Sequence, residues 1–345
     1  MTLRPEESWL VILADPEGLN QPLPSSRLET GDLIPLCNLA YQHGVLPVVL
    51  THLDSLLHSD PGSIFVSASD APKALEIMIP VHNRVKERIA LNLFLTVEAR
   101  RLQRELAIEG AEAVLLKGAD FAHRLYSTAT FRAFVDIDLL IRPEDWSIVA
   151  ATLTRLGYRE HEVNMKYSSG YSERTWEHPA MPGAMVEVHD DLVNSPTLRR
   201  GVSVKLGDLP TEIASFGPRQ ATPAGLLLIA CVHAAASHSF DKLQHLCDIA
   251  QAARGQAGPV DADALRRCTE QTHAGFCLAM GLALAARTLK EPLCKEWITR
   301  LGLNPPNLLL RCLVTPSLVV RAQGKGRRFG TWRRQILRQM LKTRR

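Results

Sequence analysis

Two aspartates, Asp136 and Asp138, are separated by one residue in the apolar stretch 135–141. Side chains alternate along a strand, so both carboxylates should point to one face while Ile137 and Leu139 point to the other. Two carboxylates this close repel each other, and burial removes their hydration. A divalent cation relieves both costs, and Mg²⁺ prefers oxygen ligands with positions left open for phosphate and water. The spacing therefore predicts a metal site, although a solvated acidic edge strand would give the same pattern.

Three neighbouring features fit a phosphate-binding site around that metal. Lys117 and Gly118 follow a short apolar strand pattern and precede a short helix, where glycine lets a backbone approach a phosphate and helix N–H groups are free. Arg132 could hold a phosphate through two hydrogen bonds. Glu187, in the alternating stretch 185–189, could supply a third carboxylate. Taken singly, each also fits ordinary structure: a tight turn, a surface cation or an amphipathic strand.

The same residues form a recognisable combination. Residues 115–126 and 132–141 read LLKGADFAHRLY and RAFVDIDLLI, a helix pattern ends in Gly157-Tyr158, and Glu187 and His189 form a later E-x-H. In this the chain resembles a bacterial family of uncharacterised nucleotidyltransferases in the DNA polymerase beta superfamily. The likeness covers most of residues 30–255.

The resemblance implies a set of roles for these residues. It assigns catalysis and the binding of one or two Mg²⁺ ions, with Mn²⁺ as a substitute, to three carboxylates: Asp136, Asp138 and Glu187. It assigns nucleotide binding to Lys117, Gly118 and Arg132. It places three further residues near the cleft: His189, His238 and Asp248. Two positions depart from the pattern. Ala119 stands where the superfamily often has serine, and Asp190 stands where the family often has tryptophan.

The remaining pattern predicts an α+β fold, with a small mixed-sheet nucleotidyltransferase core between two helical regions. We place a mostly helical region at 1–109, the α/β core at 110–215, a helical domain at 216–320 and a basic tail at 321–345. In the first region we expect a helical stretch over 32–53 with a break at Pro47, and a long helix over 81–108.

Several of these elements carry more specific predictions. The long helix should bury the four-residue repeat Val85, Ile89, Leu93 and Val97. Within the core we expect strands at 114–116, 135–141, 158–163 and 185–189, with a helix over 143–156 capped by Gly157. The segment 167–176 reads as a loop, either for an acceptor or simply at the surface. Beyond Pro218 the pattern is helical to about 310, interrupted near 257–259. Four residues there are spaced to share one helix face: His238, Asp241, His245 and Asp248.

Composition bounds the class of protein. The chain has 345 residues, 46% apolar and 22% charged, as in ordinary globular proteins. It lacks the run of about 18–20 apolar residues that a membrane helix needs. Seven cysteines without a C-x-x-C spacing fit buried, reduced thiols. These features predict a cytoplasmic protein.

Charge is distributed unevenly along the chain. The net charge of +4 comes from the tail, because residues 321–345 hold ten Lys and Arg and no acidic residue, which leaves 30 basic and 36 acidic residues elsewhere. The tail is either a basic amphipathic helix for an anionic membrane or nucleic acid, or a disordered end that aids solubility.

Three functions are consistent with these observations. The first is nucleotidyl transfer from an NTP to an unidentified small-molecule or peptide/protein acceptor. The second is a nucleotide-sugar glycosyltransferase, which also holds a metal and a diphosphate with D-x-D on a strand. The third is a degenerate interaction module, marked by Ala119 and Asp190. A small mixed sheet in which Glu187 faces the aspartates would favour the first.

Overall fold

The computed structural model describes residues 3–161, 170–214, 217–321 and 331–343. The N-terminal region is helical: α1 Pro5–Ala14, α2 Leu33–Gln42, α3 Leu46–Ser59, α4 Pro61–Ile64 and α5 Ala71–Ile108. The predicted break at Pro47 is misplaced, because α2 ends at Gln42, five residues earlier, and Pro47 lies in the first turn of α3. The turn needs Gly44, whose φ is +72° and whose added Cβ would meet the side chain of Gln244.

Helix α5 buries a different face from the one predicted. Leu93 and Val97 are 56% and 67% exposed. The buried face instead includes three polar residues that have partners: Asn92, Glu98 and Gln103. The Asn92 amide donates to the Phe134 carbonyl at 2.6 Å, and Gln103 donates to the Ala113 carbonyl at 2.9 Å. These bonds satisfy polar groups that burial would otherwise leave unpaired, so an apolar repeat does not mark the packed side of this helix.

A five-stranded mixed sheet follows α5, in the order β1-β2-β5-β4-β3. The strands are β1 Ala113–Leu115, β2 Asp136–Ile141, β3 Arg159–Glu160, β4 Glu173–Glu177 and β5 Met185–His189. Strands β2 and β5 are parallel, and the other neighbouring pairs are antiparallel. Helix α6, Ala119–Arg124, lies between β1 and β2 in the chain, and α7, Trp146–Arg155, follows β2. The predicted α+β class with a mixed sheet is confirmed.

The sheet separates an apolar face from a polar one. Ile137, Leu139, Val186 and Val188 belong to a buried cluster that also contains residues of α5 and α7. Because neighbouring residues in a strand point in opposite directions, the acidic residues that alternate with them point to the other face. Because α5 and α7 pack against the apolar face, the candidate site lies on the opposite face of the sheet.

Two predictions for this region need correction or fall partly outside the described residues. Strand β4 occupies residues 173–177, where we had expected a loop over 167–176, and residues 167–169 of that segment lie outside the described part. The predicted strand at 158–163 is formed only over Arg159–Glu160, and its last two residues also lie outside the described part.

The chain then forms a small antiparallel sheet and the C-terminal helices. The strands are β6 Thr211–Ile213 and β7 Arg219–Ala221. The helices are α8 Pro223–Ala236, α9 Leu243–Ala253, α10 Ala262–Gln271, α11 Gly275–Thr288, α12 Pro292–Arg300, α13 Leu308–Leu313, α14 Pro316–Val320 and α15 Thr331–Thr343. All but the first residue of α8 are buried, as its nearly uninterrupted apolar sequence requires. The proposed division into four regions stays a prediction.

A break after α8 was not foreseen. Residues 237–242 form a turn in which Ser239 and Phe240 adopt φ values of 53° and 62°. The prediction that His238 and Asp241 share a helix face with His245 is therefore wrong. Helix α9 begins only at Leu243, so His238 and Asp241 reach their positions through this turn.

Helix α15 shows that the described part of the basic tail is folded against the protein. Leu337 and Leu341 are 1% and 3% exposed and belong to the larger hydrophobic core. The Arg334 guanidinium donates to the Ser237 carbonyl at 3.1 Å. Trp332 and Ile336 stay largely exposed. Contact of the tail with an anionic membrane or nucleic acid stays a prediction, and among the described helices none has the length and apolarity to cross a bilayer.

Candidate active site

Three carboxylates converge on the polar face of the sheet. Strand register pairs Asp138 with Glu187 across the parallel strands β2 and β5. Asp136 points the same way, because it lies two residues before Asp138. Ligand atoms of Asp138, Glu187 and His189 all lie within 4.8 Å of one another. Asp136 is outside this closest group, but its charge acts on both Asp138 and Glu187. The predicted carboxylate set is thus brought to one place, together with His189.

Lys117 supplies the positive charge in this cluster. Its Nζ lies 2.8 Å from Asp138 Oδ1, and the Asp138 side chain is fully buried. Burial alone would raise the pKa of Asp138, but the charges of Lys117 and His189 outweigh it and hold that pKa below its usual range. The Lys117 pKa is correspondingly raised above its usual range, since the surrounding carboxylates overcome the effect of burial. Lys117 therefore pairs with a carboxylate in this structure, where the sequence predicted a phosphate contact.

For the other two carboxylates, neighbouring cations do not offset the effect of burial on the pKa. Burial, and then repulsion from Asp138, raises the pKa of Glu187 to about 9. The same two causes raise the pKa of Asp136. One ammonium group is therefore insufficient to keep three neighbouring carboxylates ionised, and the cluster has a deficit of positive charge.

Buried polar atoms that lack hydrogen-bond partners indicate whether a cation fits among the carboxylates. Oδ2 of Asp138 and both ring nitrogens of His189 are buried without a hydrogen-bond partner among the described residues. Asp138 Oδ1 contacts the Lys117 ammonium at 2.8 Å. His189 Nε2 lies 3.4 Å from Asp138 Oδ1, and its Nδ1 lies 3.8 Å from Glu173 Oε2. Buried polar atoms without partners are uncommon, and oxygen-rich donors suit Mg²⁺ or Mn²⁺, so these residues fit a divalent cation.

Gly118 forms a tight turn directly beside the carboxylates. Its φ is +53°, a conformation that L side chains rarely adopt. An added Cβ would lie 3.3 Å from the Asp136 carbonyl and 3.4 Å from the Phe134 ring. The glycine thus lets the β1–α6 connection lie against β2. Ala119 begins α6 and is buried, and the Asp120 N–H donates to the Lys117 carbonyl at 3.1 Å.

Arg132 is held by Asp248 in a buried ion pair. Its guanidinium donates to both Asp248 oxygens at 2.8 and 2.9 Å, and the Tyr126 hydroxyl donates to Asp248 Oδ1 at 2.8 Å. Arg132 and Asp248 are 4% and 2% exposed. The pair joins the segment before β2 to α9. Asp248, which the sequence placed near the cleft, acts in this structure as the partner of Arg132.

A central cavity of about 360 Å³ opens beside these residues. Lys117, Gly118, Arg132 and Asp136 line it. Three further cations and three histidines also line it: Arg84, Arg88, Lys242, His233, His238 and His245. Small-molecule sites are commonly about 300–1,000 Å³, so the volume suits a ligand of that class.

Some of these residues escaped the sequence reasoning. Arg84 and Arg88 were not among the predicted site residues, although their four-residue spacing places both on one side of α5. The Arg84 guanidinium lies 4.5 Å from the centre of the Tyr41 ring. Glu173 was missed because β4 was missed, and it now lies opposite His189 in the sheet.

Asp190 has a structural explanation. Its Oδ2 accepts a hydrogen bond from the Trp146 indole at 2.9 Å, and Trp146 stacks on Trp176 with ring centres 6.1 Å apart. Arg199 Nη1 lies 3.7 Å from its other oxygen. Asp190 thus ties α7 to the end of β5, beside the site.

Comparison with known proteins identifies the family of the chain. No curated protein and no solved structure shows significant similarity to the chain. The model of a family described as "Uncharacterised nucleotidyltransferase" matches residues 32–290. That span contains the three carboxylates, the Lys117–Gly118 turn and the histidines of the cavity, and it exceeds half of the chain. The chain therefore belongs to this family of uncharacterised nucleotidyltransferases.

Proposed function

We propose that the chain is a metal-dependent enzyme that transfers a nucleotidyl group from an NTP to a small-molecule or peptide/protein acceptor. The observation that carries the proposal is the register of β2 and β5, which sets Glu187 opposite Asp138 on the same face of the sheet as Asp136. The family match supports nucleotidyl transfer as the general reaction. The resemblance to the DNA polymerase beta superfamily is part of this proposal.

In this proposal Asp136, Asp138 and Glu187 hold Mg²⁺ or Mn²⁺. When bound, the ion would offset phosphate charge and lower the pKa of the acceptor hydroxyl. The acceptor oxygen would form a bond to the α-phosphorus while the bond to the β-phosphate breaks and pyrophosphate leaves. Such a transfer asks the protein mainly for position and charge complementarity.

The walls of the central cavity supply that complementarity. Lys117, Gly118 and Arg132 line this cavity together with Asp136, and Lys117 and Gly118 would contact the phosphates. Arg84, Arg88 and Lys242 add positive charge around the same space. The negatively charged NTP would therefore enter an electropositive pocket whose acidic residues lie at one end.

Two competing functions fit this arrangement less well. In a nucleotide-sugar glycosyltransferase we expect a longer series of strands and helices before the D-x-D, whereas here α5 and the three-residue strand β1 precede it. A degenerate module would have no reason to keep three carboxylates on one face beside Lys117. Seven free cysteines fit a reducing compartment, so we propose that the enzyme acts in the cytoplasm.

The test is transfer of label from each α-³²P-labelled NTP with Mg²⁺, using a cell extract as the source of acceptor. We expect labelled product with the wild type and a loss of about 10²-fold or more in Glu187→Gln and Asp138→Asn, the range seen when a transition-state stabilising group is removed. Asp263→Asn, an exposed carboxylate on α10, should behave as the wild type. Labelling that continues in Glu187→Gln, or that proceeds without a divalent cation, would contradict the proposal.

A further inference from the structure

Three histidines form a compact cluster on one wall of the central cavity. His233 comes from α8, His238 from the turn after it, and His245 from α9. Their ring centres lie 4.3 to 5.3 Å apart. One nitrogen from each ring lies within 4.8 Å of the other two. The three imidazoles thus bring one nitrogen atom each into close proximity.

Hydrogen bonding within the described residues does not account for this arrangement. His233 and His245 are 7% and 5% exposed, and Nδ1 of His245 is buried with no partner in the described part of the chain. Outside the carboxylate site, the other buried histidines do have partners: His43 Nε2 and His52 Nδ1 each lie 3.0 Å from a backbone carbonyl oxygen. The cluster therefore differs from a set of core histidines satisfied by the fold.

The proximity of the three rings is what suits them as ligands, and burial favours their neutral form. Burial lowers the pKa of His238 to about 3, and it lowers the pKa of His233 and His245 well below the usual value. A neutral imidazole has a free electron pair, which a metal ion can accept, whereas an imidazolium does not. Of the cations that act on these rings, Lys117 and Arg132 are paired with carboxylates, and Lys242 and Arg334 add positive charge near His238.

The turn after α8 positions His238 in a defined way. Ser239 and Phe240 both hold positive φ values and are both 1% exposed. Two such residues in succession are costly and persist only when the surroundings enforce them. Asp241 Oδ1, which is buried without a hydrogen-bond partner among the described residues, lies 3.7 Å from His238 Nδ1. Carboxylates placed beside an imidazole commonly orient it for metal binding.

We propose that His233, His238 and His245 bind a divalent transition-metal ion, with Zn²⁺ as the best match, separately from the carboxylate site. Imidazole nitrogen suits Zn²⁺, whereas the oxygens of Asp136, Asp138 and Glu187 suit Mg²⁺. Zn–N bonds of about 2.0–2.1 Å place tetrahedral nitrogens roughly 3.4 Å apart. Nitrogens that lie within 4.8 Å of one another therefore need to approach by at most about 1.4 Å. A three-histidine site leaves one position open, here facing the cavity, for water or an anionic group of a ligand.

The test measures metal binding by the full-length protein, without any assay of transfer. Protein stripped with a chelator is titrated with Zn²⁺ against a chromophoric competitor, in excess Mg²⁺ to saturate the carboxylates. Co²⁺ is then added in place of Zn²⁺, and its visible absorption reports low-coordinate nitrogen ligation. The variants are His238→Ala and His245→Ala, with the exposed His161→Ala and the carboxylate variant Glu187→Gln as controls.

We expect one tight equivalent of Zn²⁺ in the wild type, His161→Ala and Glu187→Gln. The two cluster variants should bind more than about 100-fold more weakly, since losing even an outer-shell partner costs about 10–100-fold. Circular dichroism checks that each variant is folded, and the half-buried His238 is the safer substitution. The Co²⁺ spectrum of the wild type tests nitrogen ligation independently of any variant. Absence of tight binding, unchanged binding in His238→Ala, or loss of binding in Glu187→Gln would each overturn the proposal.

Discussion

Replacing Asp248 with asparagine would remove the charge that neutralises Arg132 while keeping the shape of the side chain. In the structure Asp248 accepts two hydrogen bonds from Arg132 and one from Tyr126, and all three groups are buried. The variant would leave a guanidinium without a counter-charge at a position that is 4% exposed. Breaking a buried pair in this way costs about 3–5 kcal/mol of unfolding free energy.

The measurement is urea unfolding followed by tryptophan fluorescence and circular dichroism, with midpoints compared at a common slope. Asp263→Asn is the matched control, since its pair with Arg266 is exposed and such pairs contribute about 0–1 kcal/mol. The double variant Arg132→Met/Asp248→Leu should regain much of the loss, because no charge is then buried. If Asp248→Asn costs no more than Asp263→Asn, Asp248 is not what holds Arg132, and the structural role given to this pair is wrong.

Two further predictions concern the flanking helices. His43 donates from Nε2 to the Val320 carbonyl and accepts at Nδ1 from the Leu243 N–H, so it must be neutral, and burial lowers its pKa to about 4. Between about pH 6.5 and 4 the unfolded chain therefore binds more protons, and acidification over that window should remove roughly 3 kcal/mol that His43→Gln does not lose. Unfolding of both proteins at pH 7.5 and pH 5, where about 2 kcal/mol of that loss is expected, checks this, and equal pH slopes would refute it. Leu337→Ala should cost about 2–5 kcal/mol, because the side chain is 1% exposed, whereas the more exposed Ile336→Ala should cost far less. Thermal unfolding distinguishes them, and equal small effects would mean that α15 does not pack as described.

The strands of the site could be predicted because their signals are local. Alternation in β2 and β5 showed which residues share a face within each strand. It did not show that the two strands are neighbours, since a parallel pairing depends on a crossover of more than forty residues that contains α7, β3 and β4. The facing of Asp138 and Glu187 therefore had to come from the family resemblance or from the structure.

Strand β4 was missed because its sequence gives little apolar signal. Of the residues Glu173–Glu177, only Trp176 is buried, so the segment resembles a polar loop. Its partner strand β5 and the Trp146–Trp176 contact hold it in the sheet. The consequence for function was that Glu173, which lies beside His189, was not recognised as part of the acidic cluster.

The buried face of α5 and the histidine cluster were not predicted from the sequence, for related reasons. Periodicity counts apolar residues, whereas α5 buries Asn92 and Gln103 through hydrogen bonds to backbone carbonyls. The region between Pro218 and the predicted interruption near 257–259 was treated as helical throughout, and the turn at Ser239 and Phe240 has no glycine or proline to mark it. That turn is what brings His238 to His233 and His245, so the cluster could not be found from helical spacing.

The central claim is that Asp136, Asp138 and Glu187 bind one divalent cation together. Mn²⁺ titration followed by electron paramagnetic resonance tests it most directly, because Mn²⁺ favours oxygen ligands and binds imidazole sites weakly. We predict that Glu187→Gln weakens Mn²⁺ binding by about tenfold or more, which is at least 1.4 kcal/mol. The exposed Glu212→Gln should bind as the wild type. Equal Mn²⁺ affinity in the wild type and in Glu187→Gln would contradict the account.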